Sequence, residues 1–338
     1  MSQSRAKSFL DSLRGKLTGS PSSVTPSAPA PSGTMTTQDL FDAKALLDVN
    51  HLELLAETTV NGVLSGKHRS THKGGCTDFA EHRPYSAGDD LRRLDWKLFA
   101  RNDRYYVKQY DDETNLQALI VLDVSGSMKF GLSTVSKFDY ARLLTACLSR
   151  LFVRQRDSVA VAIAGGGLQM FLKPRQSPGH LQLIMETLIA TPAHGASRVG
   201  LILNQLLPQL KRKGMVIVIS DFFTSLPELK EGLTNVAARG HDVLMFEILA
   251  PEEINFDFRY RARFEDLEAP SRWLDVDPGA IRPIYLERMQ QHRDKLKELA
   301  TDLGCDLGTL TTDSDLGDGL AYYLRKRAFQ TKQKRRSG

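Results

Sequence analysis

The stretch QALIVLDVSGSMKFG, Gln117–Gly131, decides how this sequence folds. Five consecutive apolar residues, 118–122, lead into Asp123, and hydroxyl side chains follow at Ser125 and Ser127. Unbroken apolar runs of this length are typical of strands that are covered on both faces of a sheet. Because ligands of α/β proteins bind beyond the carboxyl ends of the strands, the polar residues that follow predict a binding site at this edge of the sheet.

The same pattern continues along the rest of the chain. Further buried strands are predicted for SVAVAIA, MVIVIS and VLMFEIL, at residues 158–164, 215–220 and 243–249, and three glycines after the first of them predict a hairpin turn. Helical periodicity is found over residues 137–155, 180–190, 199–212, 226–239 and 281–304. The alternation of strands and helices predicts an α/β fold with a doubly wound, mostly parallel sheet of the Rossmann type.

Composition divides the chain into four parts. Residues 1–37 contain a tract of Ser, Pro, Ala and Thr, and we expect them to be a disordered N-terminal segment and linker. We assign residues 38–115 to N-terminal helices and a small helical and β subdomain, and residues 116–327 to the α/β domain. Residues 328–338 are a basic tail.

The net charge of +5 is concentrated at the two ends of the chain. The last fourteen residues carry seven basic residues and no acid, and residues 1–17 carry a net charge of +3, so that residues 18–324 carry −5. An acidic body argues against specific nucleic-acid recognition by a folded basic groove. Binding of nucleic acid or of an anionic surface through the tail remains an alternative to a merely solvated tail.

The sequence predicts a cytoplasmic protein. No apolar run reaches the roughly 18 residues that a transmembrane helix needs, and the first residues are too polar for a secretory signal. The three scattered cysteines fit a reducing compartment and give no disulfide framework.

Two other loops carry oxygen groups that match those after the first strand. Asp221 follows MVIVIS, and Ser197 directly precedes a predicted helix. With Asp123, Ser125 and Ser127 they offer two carboxylates and three hydroxyls, a ligand set that suits Mg²⁺, with Mn²⁺ or Ca²⁺ as alternatives. Because hydroxyls are weak ligands, a coordination position would remain for water or for a carboxylate of a partner. In the competing interpretation the serines only cap the next helix.

Two segments resemble known families. The pattern Asp-x-Ser-x-Ser after an apolar strand, with a later hydroxyl and a later strand-end Asp, resembles the metal-ion-dependent adhesion site of von Willebrand factor A domains. Residues 72–115 are similar to the signature of domain-of-unknown-function family 58, and the resemblance extends over about residues 40–327. The matching signature residues are Arg83, Tyr85, Gly88, Asp89, Asp90, Arg92, Asp95, Trp96 and Lys97. The chain departs from that family at Ser197, where a Thr is usual.

The resemblance implies a von Willebrand factor A-like domain that binds other proteins and does not catalyse a reaction. It implies partnership with a MoxR-type AAA+ ATPase in the chaperone-like assembly or remodelling of protein complexes. It also implies a client protein that supplies an acidic residue to the metal. We expect the charged signature residues to form internal ion pairs, with a partner-binding surface as the alternative.

A metal-dependent phosphoryl-transfer enzyme is the competing functional hypothesis, because Asp123 at a strand end could hold a catalytic metal. Such an enzyme needs a phosphate cradle and a positioned Lys or Arg, and the sequence has no Walker-type loop. There is no second acid two positions after Asp123, and Ser125 does not lie in a Gly-x-Ser-x-Gly elbow. We therefore expect no enzymatic activity.

A zinc site is the second rival. His68, His72, Cys76 and His82 are of the residue types that bind zinc. Their spacing matches no standard zinc module and lacks a second closely spaced ligand pair, so we expect surface or capping roles for these residues.

Overall fold

The computed structural model describes residues 48–67, 79–84, 96–102, 104–110, 116–132, 135–258, 262–268 and 273–324. The predicted linker over residues 1–37 and the basic tail lie outside them. The chain divides into two compact units, one of residues 64–115 and one that holds the rest. None of the described helices is long and apolar enough to cross a membrane.

The strands in chain order are β1 (Phe79–Pro84), β2 (Tyr106–Tyr110), β3 (Gln117–Asp123), β4 (Ser158–Ala164), β5 (Leu168–Arg175), β6 (Met215–Ser220), β7 (Asp242–Leu249), β8 (Ala262–Glu265), β9 (Trp273–Val276) and β10 (Asp306–Thr311). The helices are α1 (Val49–Lys67), α2 (Trp96–Asn102), α3 (Lys137–Arg154), α4 (Pro178–Ala190), α5 (Val199–Leu206), α6 (Leu226–Ala238), α7 (Pro251–Asn255), α8 (Pro278–Asp302) and α9 (residues 316–324).

The larger unit is built on a six-stranded sheet with the order β10-β7-β6-β3-β4-β5. All neighbouring strands are parallel except β4 and β5, which form the antiparallel hairpin predicted from the three glycines. When the six strands of this sheet are renumbered from 1 to 6 in chain order and read from the β5 edge, the order is 3-2-1-4-5-6. This is the strand order of doubly wound folds. The predicted fold class is therefore confirmed. The strand order reverses between β3 and β6, and the switch point lies at their carboxyl ends.

The apolar run that opens the large unit is buried on both faces. Leu119 and Val121 pack in one cluster with residues of α5, α6 and α8. Successive residues of a strand point to opposite sides, so Ile120 and Leu122 face the other way, and they are equally buried. Full burial of an aliphatic side chain of this size stabilises a fold by about 1.5–3 kcal/mol. The sheet is thus a rigid platform for the loops at its edge.

Two helix boundaries show local sequence control. Ser136 precedes α3, and its hydroxyl oxygen accepts a hydrogen bond from the backbone N–H of Asp139. The helix predicted over residues 199–212 ends instead at Leu206, and a short 3-10 turn, Leu207–Gln209, follows. Pro208 explains this difference, because proline has no N–H to continue the helical hydrogen bonds.

Helix α1 belongs with the large unit as far as Val63, whereas the sequence predicts that residues 38–115 belong together. Its surface contacts α3 through ion pairs. Arg150 reaches Glu53 at 2.9 Å and Glu57 at 2.8 Å.

In the smaller unit, β1 and β2 form an antiparallel pair with α2 between them in the chain. Phe99 of α2 stacks on Tyr105, with ring centroids 4.4 Å apart, and meets the edge of Trp96 at 6.3 Å. Of the signature residues, Arg83 lies on β1, and Trp96 and Lys97 begin α2.

The remaining signature residues lie outside the described part of the chain: Tyr85, Gly88, Asp89, Asp90, Arg92 and Asp95. The ion pairs expected among them therefore stay a prediction. The zinc candidates His68, His72 and Cys76 also lie outside it, and His82 lies on β1.

Candidate metal centre at the sheet edge

The structure brings together the residues predicted to be metal ligands. Asp123 is the last residue of β3 and Asp221 directly follows β6, its neighbour in the sheet, so both lie at the switch point. Ser125 and Ser127 lie at the 3-10 turn that follows β3, and Ser197 lies in the loop before α5. Both aspartates and Ser125 are fully buried, and Ser127 and Ser197 are 3% and 6% exposed.

Both carboxylate oxygens of Asp123 accept hydrogen bonds. Oδ1 accepts from the backbone N–H of Ser125 at 2.9 Å. Oδ2 accepts from the hydroxyls of Ser197 at 2.7 Å and Ser220 at 2.6 Å. Ser220 was not predicted, because it ends an apolar strand and looks like part of the core. These three donors hold the carboxylate in one orientation.

Ser125 and Ser127 link the two carboxylates, with the backbone N–H of Ser125 bonded to Asp123. The Oγ atoms of Ser125 and Ser127 lie 3.1 Å apart, and the Ser127 side chain hydrogen-bonds to Asp221. Ser125 precedes the 3-10 turn but makes no side-chain capping bond there, and the cap of α3 is Ser136. The capping interpretation of the two serines is therefore wrong.

Backbone hydrogen bonds join the loops around the site. The N–H of Gly126 donates to the carbonyl of Gly195, and the N–H of His194 donates to that of Val124, both at 2.7 Å. Gly195 has a φ of +85°, a conformation that residues with a Cβ rarely adopt. The chain can therefore turn at this point and bring the Ser197 loop against the β3 loop.

A buried lysine also belongs to the site. Lys137, the first residue of α3, has a fully buried side chain, and its Nζ lies 2.8 Å from Oδ2 of Asp221. The same Nζ lies 2.6 Å from Oε1 of Glu253, on α7, and 5.0 Å from the ring centroid of Phe223. Neither Lys137 nor Glu253 was predicted from the sequence.

The charges of these groups do not balance. Burial, together with the nearby charge of Asp221, raises the pKa of Asp123. Burial alone would also raise the pKa of Asp221, but the Lys137 ammonium holds it below its usual value. Burial raises the pKa of Glu253 in spite of its contact with Lys137. Asp221 and Glu253 thus share one ammonium while Asp123 lies near the charge of Asp221, and a further cation would relieve the repulsion between the two aspartates.

A segment of the β8–β9 connection lies against the site. A Cβ atom on Gly126 would lie 2.2 Å from the carbonyl oxygen of Leu267, so the two backbones touch. Oε1 of Glu268 lies 3.4 Å from the backbone N of Ser197, and the N–H of Glu268 donates to Asp266 at 2.9 Å. This segment therefore packs against both the β3 loop and the Ser197 loop.

The residues present fit a magnesium ion. Oxygen atoms make up the donor set, and the excess of buried negative charge favours a small divalent cation. Within the described residues, no group of three or more His, Cys, Asp or Glu is placed to hold a metal, so a metal here would depend on the serine hydroxyls. Soft metals that prefer sulfur would find no thiolate among the five predicted ligands.

Comparison with known proteins identifies relatives of the chain. The family described as "Protein of unknown function DUF58" matches residues 81–295. Three uncharacterized proteins, two from Mycobacterium tuberculosis strains and one from Mycobacterium bovis, are each 28% identical over 294 residues, which is 86% of this chain and 92% of the relative.

Among solved structures, the conserved hypothetical protein BatB from Bacteroides thetaiotaomicron is 17% identical with a TM-score of 0.44, covering 63% of this chain and 98% of that one. The SpRpn10 VWA domain is 12% identical with a TM-score of 0.36, covering 61% and 93%. The fold itself is assigned from the strand order and not from these distant likenesses.

Proposed function

Because the chain belongs to the DUF58 family, whose function is unknown, we propose its function from the site: it is a non-enzymatic, Mg²⁺-dependent adaptor that binds other proteins. One observation carries this proposal. Two buried carboxylates and three hydroxyls converge from three loops at the switch point, where doubly wound folds bind ligands.

In this proposal Mg²⁺ is held by Asp123, Ser125 and Ser127, with Ser197 and Asp221 as direct or water-mediated ligands, and it supplies a positive charge that an acidic group of a partner can bind. The protein's own contribution is to orient these groups. Ser220 fixes the Asp123 carboxylate. Thr224 donates a hydrogen bond to the carbonyl of Ser197 at 3.0 Å, which fixes the third loop.

We propose a MoxR-type AAA+ ATPase as the partner, in the assembly or remodelling of protein complexes, with a client that supplies the acidic residue. Of the five predicted ligands only Ser127 and Ser197 have any exposed surface, 3% and 6%, so an acidic residue of a partner would approach the ion from that side. Because binding in this proposal needs both the metal and an acidic residue of the partner, removal of either should weaken it. The cytoplasmic location stays a prediction.

The proposal is tested by capture of a co-expressed MoxR-type ATPase on the tagged full chain, in Mg²⁺ and in EDTA. We expect capture in Mg²⁺ that EDTA and Asp123→Ala both abolish. Asp294→Ala, an exposed residue of α8, is the matched control and should capture as well as the wild type. Capture that survives both EDTA and Asp123→Ala would contradict a metal-bridged contact and move the interface elsewhere.

A further inference from the structure

The large unit already contains a cation at its candidate metal centre. The Lys137 ammonium is buried, and it contacts one oxygen of Asp221, a predicted metal ligand. The other oxygen, Oδ1, accepts the backbone N–H of Phe223 at 3.1 Å. A metal ion and Lys137 would therefore bind the same carboxylate. Two cations on one carboxylate repel each other.

We propose that Lys137 is an internal counter-cation that sets the affinity of this centre for divalent metal, an inference that rests on the proposed function. Its ammonium competes with the metal for Asp221. The competition weakens metal binding, and the ammonium offsets part of the buried negative charge when no metal is bound.

Glu253 gives the ammonium a second partner. Its Oε1 lies 2.6 Å from Nζ of Lys137, and its other oxygen, Oε2, accepts the backbone N–H of Ala250 at 2.9 Å. Glu253 is thus held in place by its own helix start, independently of Asp221. When a metal takes the Asp221 oxygen, Lys137 retains a hydrogen-bonded carboxylate, which lowers the cost of displacing it.

A purely structural ion pair would have a different consequence. If Lys137 only tied α3 to the neighbouring loops, its removal would lower stability and would leave the metal affinity of the folded protein unchanged or weaker. Competition predicts instead that removal of the ammonium raises the metal affinity. Direct measurement of metal binding therefore separates the two roles.

The experiment is calorimetric titration of Mg²⁺, and separately of Mn²⁺, into the full chain freed of metal. We compare wild type, Lys137→Met, Glu253→Gln and Lys137→Met/Glu253→Gln. The double variant has the same net charge at the centre as the wild type but lacks the ammonium. Lys129→Met removes an exposed lysine from the end of the 3-10 turn and is the matched control.

Competition predicts that Lys137→Met and the double variant bind either metal about tenfold or more tightly than the wild type. Glu253→Gln should bind more weakly, and Lys129→Met should bind as the wild type does. If the wild type binds metal and both variants without the ammonium bind no more tightly, the inference is overturned and the proposed function stands.

The remaining outcomes separate the two proposals. If the wild type binds no metal while Lys137→Met or the double variant does, Lys137 excludes the metal, which supports the inference and refutes the Mg²⁺-dependent function. If none of the folded proteins binds metal, both proposals fail. Circular dichroism establishes which variants are folded, and the double variant keeps the test decisive if Lys137→Met does not fold.

Discussion

Removal of the Lys137 ammonium should strongly destabilise the metal-free protein. Lys137→Met keeps a side chain of similar length but leaves two carboxyl groups, Asp221 and Glu253, without their shared counter-ion. At separations of 2.8 and 2.6 Å and an effective dielectric constant near 20, each contact has a Coulomb energy of about 6 kcal/mol. Most of this energy offsets the cost of burying the charges, and removal of one member of a buried pair costs about 3–5 kcal/mol.

Protonation of Glu253 limits the loss of stability in Lys137→Met. Glu253 already has a raised pKa, so it can take up a proton when the ammonium is absent, and we expect a loss near the lower end, about 3 kcal/mol. Lys137→Met/Glu253→Gln removes one of the two uncompensated acids and should recover about 1–2 kcal/mol of that loss. The exposed control Lys129→Met should stay within about 0.5 kcal/mol of the wild type.

The assay is urea unfolding of the full chain in EDTA, followed by far-ultraviolet circular dichroism. EDTA removes any divalent metal that could replace the missing charge. A loss below about 1 kcal/mol for Lys137→Met would refute this reasoning, since it would mean that the buried carboxylates need no counter-ion.

Three further perturbations test particular parts of the fold. Gly126→Ala places a Cβ against the backbone carbonyl of Leu267 and should lower the free energy of unfolding by about 1–3 kcal/mol. Amide exchange in Asp266–Glu268 should become faster, and unchanged exchange there would contradict the close packing. Ser136→Ala removes the cap of α3 and should cost about 1 kcal/mol in the same urea assay, whereas no loss would show that the cap is dispensable. Burial raises the pKa of Cys147 to about 12 and that of Cys305 to about 11, so neither thiol should react with iodoacetamide at pH 8 until urea unfolds the chain. Peptide mass spectrometry measures the modification, and labelling of either cysteine in the native protein would contradict this prediction.

Much of the fold could be predicted because its strands are buried on both faces. The apolar runs that end at Asp123 and Ser220 have no polar interruption, which distinguishes central parallel strands from exposed ones. Residues 250–280 gave no periodic signal, since α7, β8 and β9 have only four or five residues each. Elements this short do not complete enough periods to be recognised.

The candidate site was predicted only in part. Polar residues at or directly after the end of an apolar strand are recognisable by position, which is why Asp123 and Asp221 could be found. Lys137 starts an amphipathic helix, where a lysine is normally solvated, and nothing local shows that its side chain turns inward. Glu253 lies 116 residues further along the chain, so only the folded structure shows that the two side chains meet.

The most direct test of the account is a crystal structure of the full chain soaked with Mn²⁺, with anomalous scattering measured at the manganese edge. The account predicts one anomalous peak at about 2.0–2.3 Å from oxygen atoms of Asp123, Ser125 and Ser127. A crystal that takes up Mn²⁺ only elsewhere, or that shows no peak at this centre while the Lys137 ammonium remains on Asp221, would contradict the claim that the strand ends form a metal site.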